Sequence, residues 1–363
     1  MIKVLGLALY GPLAASTRYR LGQYVQGLAG MGIDLQIRHL LSDDYLRSRF
    51  NGTSVPIEAI LKSGFARLAD LWRADEYDVA MLHCELFPLM PSSIEQALVR
   101  IPYIYDFDDA FYLKYRSGWL GLAGPILGRK FDAVIAGAVE VTAGSNVLVD
   151  YARHHNSKIQ YLPTVVDTAR YLPQPGARGG PSFTVGWIGS PSTAPYLKQL
   201  VAPLSAIGQE GEVRFIVIGS KAPVIPNVTV VECKWDEATE LNLINSFDVG
   251  VMPLPDDDWA RGKCAFKLIQ YMACAVPVIA SPVGANVEVV NGVCGLMAST
   301  PQNWADALRL FRDSPQIRAE MGLAGRERVV KHYSLHQKLP MLANVISRAV
   351  RKRPTMRESA GVN

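Results

Sequence analysis

Three cations stand close together in the segment RGKCAFK at 261–267. Arg261, Lys263 and Lys267 lie just before, or in the first turn of, a helix that the apolar pattern predicts at roughly 265–274. A helix begins with backbone amides that lack intrahelical acceptors and with partial positive charge, so cations there are unfavourable unless an anion binds. The expected anion is a diphosphate.

An acidic triplet, Asp256 to Asp258, stands directly upstream of these cations. It can neutralise them, in which case the segment is an ordinary solvated basic turn. A metal site on the triplet is disfavoured, because three consecutive loop side chains do not all point in one direction.

A second candidate for phosphate binding follows the apolar run FTVGWI at 183–188. Gly189, Ser190 and Ser192 form a turn rich in backbone donors and hydroxyls before a predicted helix. Gly219 ends the next such run, VRFIVI, and joins the donor-binding candidates. The alternative is an ordinary strand-to-helix turn that a Ser or Thr side chain caps.

In the first half of the chain, carboxylates cluster where the apolar run IPYIY ends. Asp106, Asp108 and Asp109 could orient an acceptor hydroxyl or stabilise positive charge that develops on a sugar. The alternative is helix capping with salt bridges to nearby cations, namely Lys114, Arg116 or Arg129.

The turn GPLAASTRYR after the first apolar run contributes Ser16, Arg18 and Arg20, which either face the same edge as the carboxylates or coat a solvent-exposed face. His83 ends the run YDVAMLH. A single His without a partner is more often a hydrogen-bonded core residue than a base or a ligand, and we interpret it so.

These candidates all follow short apolar runs, which predict buried parallel strands. We expect strands at 2–10, 33–37, 77–84 and 101–107, then in AVIAGAVEVTAGS and KIQYLPTVVD, and in the second half in FTVGWI, VRFIVI, FDVGVMPL and VPVIA. Helices are expected at 19–29, in PSSIEQALVR with Ser92 or Ser93 as cap, and from Leu335 to Val350. The alternation predicts an α/β chain with two doubly wound, Rossmann-like parallel sheets.

The length of 363 residues predicts two domains. The Pro- and Gly-rich segment Tyr171–Ser182 is the linker candidate. It separates an N-terminal Rossmann-like lobe at 1–175, with 340–363 as a candidate addition, from a C-terminal Rossmann-like lobe at 180–339.

Composition favours a cytoplasmic protein. The five cysteines form no CxxC pair, no apolar run is long enough to span a bilayer, and the N-terminus lacks a signal-peptide cleavage pattern. The apolar stretch Gly118–Gly128 and the basic tail from Arg348 to Arg357 are candidates for peripheral contact with an anionic membrane, or else a core segment and a frayed terminus. The modest net charge of +4 predicts no nucleic-acid partner.

The run FDVGVMPLPDDDWARGKCAFKLIQYMACAVPVIASPVGANVEVVNG resembles the donor-binding stretch of glycosyltransferase family 4, of the GT-B fold. STRYRLGQYVQGL, YDFDDA and VTAGSNVLVDYARHHNSKIQYLPTVVD resemble one branch of the same family. The resemblance covers roughly residues 1–335. It implies two lobes facing a central cleft, with the nucleotide in the C-terminal lobe and the acceptor in the N-terminal lobe. It also implies catalysis without metal or cofactor, with retention of anomeric configuration.

Two family features are missing. The family carries two Glu eight positions apart where this chain has Gly262 and Gln270. Gln270 can still hydrogen-bond ribose hydroxyls, but Gly262 cannot replace a carboxylate. The basic pair that commonly follows the first strand of the second lobe is also absent. Lys263 and Lys267 are therefore expected to neutralise the diphosphate, beside Ala265 and Phe266 at the helix start.

The function expected from the resemblance is transfer of a sugar from a nucleoside diphosphate donor, with Lys267 stabilising the leaving diphosphate and Asp108 or Asp109 positioning the acceptor. The acceptor is expected to be a glycan or a lipid-linked intermediate of cell-surface polysaccharide synthesis, at the inner face of the membrane. The alternatives are a non-catalytic GT-B scaffold that binds a nucleotide sugar or a partner enzyme, and a nucleotide-sugar epimerase.

Overall fold

The computed structural model describes residues 1–116 and 119–351, which divide into two compact units. The first unit comprises Met1–Thr164 and the chain from Lys338 onward, and the second comprises Val165–Gln337. Gly118 of the proposed membrane segment and the basic tail beyond Arg351 lie outside the described residues.

The first unit contains a six-stranded parallel sheet with the order β2-β1-β3-β4-β5-β6. Its strands are β1 (Ile2–Tyr10), β2 (Ile33–Leu41), β3 (Val79–His83), β4 (Tyr103–Phe107), β5 (Glu140–Ala143) and β6 (Ile159–Tyr161). The central strands β3, β4 and β5 are buried along their whole length, because helices cover both faces of a parallel sheet.

The second unit contains another six-stranded parallel sheet, with the order β12-β11-β10-β7-β8-β9. Its strands are β7 (Phe183–Ile188), β8 (Val213–Ile218), β9 (Thr229–Cys233), β10 (Val249–Met252), β11 (Val278–Ala280) and β12 (Gly295–Met297). Trp187, Phe215 and Trp304 are among the large side chains of its core. Two parallel doubly wound sheets confirm the predicted fold class.

Most helices lie between successive strands, and the last three follow β12. In the first unit they are α1 (Ala15–Arg20), α2 (Val25–Gly30), α3 (Asp43–Phe50), α4 (Ile57–Trp72), α5 (Ser92–Leu98), α6 (Gly124–Leu127), α7 (Lys130–Gly137) and α8 (Asn146–Arg153). The next are α9 (Val201–Glu210), α10 (Glu240–Asn245), α11 (Asp258–Arg261), α12 (Phe266–Ala273), α13 (Ala285–Val290), α14 (Pro301–Asp313), α15 (Pro315–His332) and α16 (Leu335–Val350). Within the two described stretches, none combines the length and apolar content that a membrane span requires.

Three local predictions are wrong. The helix expected at 19–29 is broken near Leu21, where the Gln23 side chain donates to the Tyr19 carbonyl oxygen at 2.6 Å and competes with backbone pairing. Helix α5 follows Pro91 and has no side-chain cap, so neither serine caps it. The segment at 133–137, expected as strand, belongs to α7.

The predicted linker lies inside the second unit, whose boundary falls at Val165 rather than near 175–180. Arg178 donates to the carbonyl oxygens of Cys274 at 2.6 Å and Ala275 at 2.8 Å. The backbone amide of Gln174 donates to the Asn245 side chain at 2.9 Å. Low apolar content suggested a free connection, but polar bonds to the backbone anchor this segment.

Candidate active site

Each sheet has a point where the chain reverses its direction of winding, and ligands of open α/β sheets bind at the carboxyl ends of the strands that flank such a point. In the second sheet the reversal lies between β7 and β10. The segments that leave these strands are the Gly189 turn and the loop that leads to α12. Both were candidates from the sequence, and the topology brings them to one edge of the second unit.

Gly189 and Gly219 allow the turns after β7 and β8 to pack closely. A Cβ at Gly219, whose φ is +85°, would lie 2.5 Å from the carbonyl oxygen of Gly189. A Cβ at Gly189 would lie 2.4 Å from the Trp187 ring and 2.9 Å from Cε of Lys267. Only glycine fits at either position, so backbone rather than side chain forms this edge.

Lys267 joins the two loops. It stands in the first turn of α12, and its Cε approaches the Gly189 turn. Its Nζ lies 5.6 Å from the centroid of the Trp187 ring, within range of a cation–π contact. The helix begins after Ala265, which has a left-handed backbone with φ of 53°, and no side chain caps its first turn. This arrangement directs an ammonium group and a helix start to one place.

Two carboxylates of the acidic triplet form ion pairs with Arg261. Arg261 donates to Asp256 at 2.8 Å and to Asp258 at 3.1 Å, while Asp257 accepts from the amide of Ala260 at 2.7 Å. The hydrogen bond from Arg261 lowers the pKa of Asp256. Asp256 and Asp258 thus share Arg261 as a partner, and Asp257 caps the start of α11.

Lys263 and the two serines of the Gly189 turn belong to the loops at the same carboxyl edge of the second sheet. The Lys263 ammonium lies 5.9 Å from the centroid of the Trp259 ring. The hydroxyls of Ser190 and Ser192 are 2.8 Å apart, and Thr193 donates to the Ser190 carbonyl oxygen at 3.1 Å. The turn leads into a 3-10 helix whose N-cap, Thr193, forms no side-chain cap bond. Helix capping by the Thr193 side chain therefore does not explain why Ser190, Ser192 and Thr193 occur together in this turn.

Gln270 occupies a buried network rather than an open position. Its Nε2 donates to the Tyr171 hydroxyl at 3.0 Å and to Glu240 at 3.1 Å. Glu240, which is buried, also accepts from the Tyr171 hydroxyl and from Nε1 of Trp235. The amide nitrogen of Gln270 is thus engaged, and its contact with a ribose remains a prediction.

The carboxyl edge of the first sheet carries a row of polar residues at matched register. In the parallel pairing, His83 lies opposite Asp106, and Asp106 lies opposite Thr142. Parallel partners project to the same face, so their side chains meet. His83 Nδ1 is 2.8 Å from the Asp106 carboxylate, and the Thr142 hydroxyl donates to it at 2.5 Å.

Asp106 is buried, which corrects the prediction that it contacts an acceptor directly. Arg20, also buried, donates to it through both Nε, at 3.1 Å, and Nη2. Burial alone would raise the pKa of Asp106, but the charge of Arg20 and the hydrogen bonds from His83 and Arg20 hold it well below its usual range. Arg20 therefore does not coat a solvent face.

Asp108 extends beyond this buried row, since 15% of its side chain is exposed. Its carboxylate is 3.9 Å from Nε2 of His83, which also lies 3.1 Å from the Cys84 sulfur. Ligand atoms of His83, Cys84 and Asp108 all fall within 4.8 Å of one another and could hold a metal ion. Burial and the surrounding carboxylates raise the pKa of the Cys84 thiol well above its usual range, which opposes thiolate ligation.

The remaining first-unit candidates are Arg18, Ser16 and Asp109. Arg18 donates to the carbonyl oxygens of Pro12 at 2.7 Å and Leu13 at 2.8 Å, so it braces its own turn. Ser16 is half-buried in α1, and Asp109 is half-buried beside Asp108. The cations proposed as salt-bridge partners of the Asp cluster contact other carboxylates: Lys114 contacts Glu85, and Arg116 and Arg129 contact Asp132.

Comparison with solved structures identifies the fold. Sucrose-phosphate synthase from Thermosynechococcus elongatus is 14% identical, with coverage of 96% of this chain and 99% of that chain and a TM-score of 0.70. Alr3699/HepE from Anabaena, solved with UDP and glucose, is 15% identical, with coverage of 96% and 100% and a TM-score of 0.69. A mutant of S. aureus TarM, solved with Fondaparinux, alpha-GlcNAc-glycerol and UDP, is 14% identical, with coverage of 77% and 58% and a TM-score of 0.54.

The chain has the GT-B fold. Residues 182–313 also match the family model of the glycosyl transferases group 1. The resemblance predicted from the sequence is therefore confirmed for the second unit at the level of this group, and the narrower family 4 remains a prediction. No curated protein matches the chain.

Sequence reasoning missed Glu240 and interpreted His83 only in part. Glu240 comes after no strand end and follows a segment with no motif, so nothing local marked it. His83 is indeed a hydrogen-bonded core residue, but it also lies at the sheet edge beside Asp108. Its position at the end of a strand, one sheet position from the YDFDDA block, was the available signal.

Proposed function

We propose that the chain is a GT-B glycosyltransferase that moves a sugar from a nucleoside diphosphate donor to an acceptor. The observation that carries this proposal is the meeting of Lys267, the Gly189 turn and the uncapped start of α12 at the switch point of the second sheet. The group 1 match covers the same residues.

In the proposed reaction, the bond between the anomeric carbon and the diphosphate breaks, and negative charge grows on the departing phosphate oxygens. The acceptor oxygen bonds to the anomeric carbon, and its proton passes to one of those phosphate oxygens. The Lys267 ammonium and the first-turn amides of α12 stabilise this charge more in the transition state than in the ground state, which lowers the barrier. Lys263 contributes a second positive charge. The Ser190 and Ser192 hydroxyls are available to phosphate oxygens from the neighbouring turn.

The acceptor is assigned to the carboxyl edge of the first sheet. Asp108 or Asp109 orients the acceptor hydroxyl, while Asp106 acts through His83, whose Nδ1 it binds. A carboxylate on one ring nitrogen fixes the orientation of the imidazole and leaves the other nitrogen directed toward Cys84 and Asp108.

Uracil is the first base to test, because HepE was solved with UDP and with UDP-glucose. A lipid-linked or glycan acceptor, catalysis without metal and retention of configuration complete the proposal. They rest on the family resemblance.

The decisive experiment compares Lys267→Ala with Lys198→Ala, an exposed lysine of the same unit. Radiolabelled UDP-hexoses are incubated with each protein and a lipid extract, and transfer of label to lipid is measured. We expect Lys267→Ala to lower transfer by about 100-fold or more, as when a group that stabilises leaving charge is removed, and Lys198→Ala to leave it unchanged. Wild-type activity in Lys267→Ala would remove the assignment.

A scaffold that binds a nucleotide sugar without turnover is the second candidate. Gly262 and the engaged amide of Gln270 favour it, since they stand where the family carries carboxylates. The same experiment separates the two: donor binding without label transfer to any extract supports the scaffold.

A further inference from the structure

Glu240, at the start of α10, is a buried carboxylate to which the proposed reaction gives no role. Its Oε2 accepts from Nε1 of Trp235. Its Oε1 accepts from the Tyr171 hydroxyl and, at 3.1 Å, from Nε2 of Gln270. An indole N–H can only donate, and an ionised carboxylate can only accept. Both oxygens of Glu240 are therefore used as hydrogen-bond acceptors within the second unit.

This carboxylate fixes the direction in which the Gln270 amide faces. The amide nitrogen carries two hydrogens, and both are used inside the protein: Nε2 donates to the Tyr171 hydroxyl at 3.0 Å and to Glu240 at 3.1 Å. If the amide were rotated by half a turn, its oxygen would face the Glu240 carboxylate, and two acceptors would oppose each other. Oε1 of Gln270 must therefore face away from Glu240.

Oε1 is the atom of the Gln270 amide that can still bind a ligand. It accepts no hydrogen bond from the residues that the structure describes. It is also not one of the buried polar atoms that lack a partner, so it reaches solvent. An amide whose two hydrogens are both used offers a ligand only an acceptor. A group that binds Gln270 must therefore donate a hydrogen bond.

The network reaches the carboxyl edge of the second sheet from two sides. Gln270 follows Lys267 by three residues, so both project from one side of α12, about 4.5 Å apart along its axis. Trp235 follows β9, and its Cβ lies 3.3 Å from the position of a Cβ at Gly219, whose turn packs on that of Gly189. Gln270 is thus within one helical turn of the lysine assigned to the diphosphate.

We propose that Glu240 is a positioning residue, which holds the Gln270 amide so that Oε1 accepts a hydrogen bond from a ribose hydroxyl of the bound nucleotide. The inference rests on the proposed function, because that function places the diphosphate at Lys267. Ribose is bonded to the diphosphate, and its 2′- and 3′-hydroxyls are hydrogen-bond donors. Glu240 thereby makes the site selective for a donor at one of these two positions.

The test compares UDP with 2′-deoxy-2′-fluoro-UDP and 3′-deoxy-3′-fluoro-UDP, whose dissociation constants are measured by calorimetry with the full chain. UDP carries no transferred sugar, so its sugar hydroxyls belong to ribose. Fluorine accepts a hydrogen bond weakly and cannot donate one. We expect wild type to bind at least one analogue about 5- to 10-fold more weakly than UDP, which is the range of one neutral hydrogen bond. We call this ratio the fluorine penalty.

Glu240→Gln should reduce the fluorine penalty to about 2-fold or less, because it reverses the Gln270 amide. The indole N–H of Trp235 needs an acceptor, so the oxygen of the substituted amide faces Trp235 and its NH2 group faces Gln270. Oε1 of Gln270 then accepts from that NH2 group, and Nε2 faces the ligand. A hydrogen on Nε2 can be donated to fluorine as well as to a hydroxyl oxygen, so the requirement for a donor is lost.

The double variant Trp235→Phe, Glu240→Gln should recover the fluorine penalty. No indole N–H remains in it, so the oxygen of the amide at position 240 can face Gln270 and restore the original direction of Oε1. A role of Glu240 in stability alone predicts no such recovery. Gln270→Met removes the acceptor itself and should also lower the penalty to about 2-fold or less, which tests the contact even if Glu240→Gln does not fold.

The matched control is Glu212→Gln, the same substitution at an exposed residue directly before β8. It should keep the wild-type penalty, and the melting temperature of each variant shows whether it is folded. The inference alone is wrong if wild type binds UDP but tolerates both fluorine substitutions, or if folded Glu240→Gln or Gln270→Met keeps the full penalty. If wild type does not bind UDP, the proposed donor site is wrong and this inference is wrong with it.

Discussion

Asp106 is bound by side chains from three other segments of the first unit: Arg20, His83 and Thr142. Its ion pair with Arg20 is fully buried, so each charge depends on the other for compensation in a medium of low dielectric. Removing one partner leaves the other as an unpaired buried charge. The residue therefore matters first for the stability of the sheet edge, and for chemistry only through His83.

We expect Asp106→Asn to destabilise the chain by about 3 to 5 kcal/mol, because it leaves the Arg20 guanidinium buried without a counter-charge. Thr142→Val removes one hydrogen bond to the same carboxylate and should cost only about 1 kcal/mol. Since Arg20 and His83 hold the pKa of Asp106 well below its usual range, Asp106 stays ionised and its contribution is lost only in strong acid. The loss should thus be equal at pH 5 and pH 8, which urea unfolding at both values would check.

The double variant Arg20→Met, Asp106→Asn is the companion measurement. With both charges removed, no unpaired ion remains, so we expect the double variant to be more stable than Asp106→Asn alone. Equal or greater destabilisation of the double variant would contradict this account of the pair.

A buried ionic cluster joins the loop after β3 to helices α5 and α7. The Lys130 ammonium lies 2.7 Å from Glu85 and 2.9 Å from Glu95, and it also donates to the Phe87 carbonyl oxygen at 2.6 Å. Lys114 provides a second cation to Glu85 at 2.5 Å. Glu95 shares Lys130 with Glu85, and its Oε2 is buried without a partner. Of the two carboxylates in this cluster, Glu95 therefore has fewer of its hydrogen-bonding positions occupied.

We expect the chain to lose stability as pH rises from about 5 to 8, through Glu95. Burial raises the pKa of Glu95 to about 7, despite the opposing charge of Lys130. Between its ordinary value and about 7, the unfolded state releases the proton that the folded state keeps, so stability falls with rising pH, by about 3 kcal/mol at most. Glu95→Gln mimics the protonated form and should reduce the drop in melting temperature between pH 5 and pH 8. An equal drop in the variant would exclude Glu95 as its source.

Strong local sequence patterns predicted complete strands and helices. They could not predict polar contacts between residues that are far apart in the sequence. Strand β1 and helix α16 have the predicted bounds, because an uninterrupted apolar run and a regular helical period are read locally. Strand β9 was missed because its residues are only half-buried and do not form such a run. The pair Arg20–Asp106 was missed as a pair because its members are 86 residues apart.

For the candidate site, strand ends predicted the sheet edge correctly, since parallel strands deliver their carboxyl ends together. The strand ends did not predict which side chains at that edge are exposed to solvent. Asp106 and Asp108 are two residues apart, yet one is buried at the register of His83 and the other is partly exposed. Alternation along a strand cannot explain this difference, because residues two apart share a face. The explanation is that β4 ends at Phe107, so Asp106 lies within the buried strand and Asp108 lies beyond it.

At the scale of the whole chain, a nucleotide that binds only the folded state must raise its stability, by about 2.7 kcal/mol at a concentration 100 times the dissociation constant. We expect UDP to raise the melting temperature of wild type and of Lys198→Ala by several degrees, but to have little effect on Lys267→Ala, because Lys267 carries much of the charge neutralisation. The rise should be unchanged in excess EDTA, since ammonium groups and helix amides, rather than a metal, balance the diphosphate. If the rise in melting temperature disappears with EDTA, a metal ion rather than these groups balances the diphosphate. If the rise is undiminished in Lys267→Ala, the nucleotide does not bind at the start of α12.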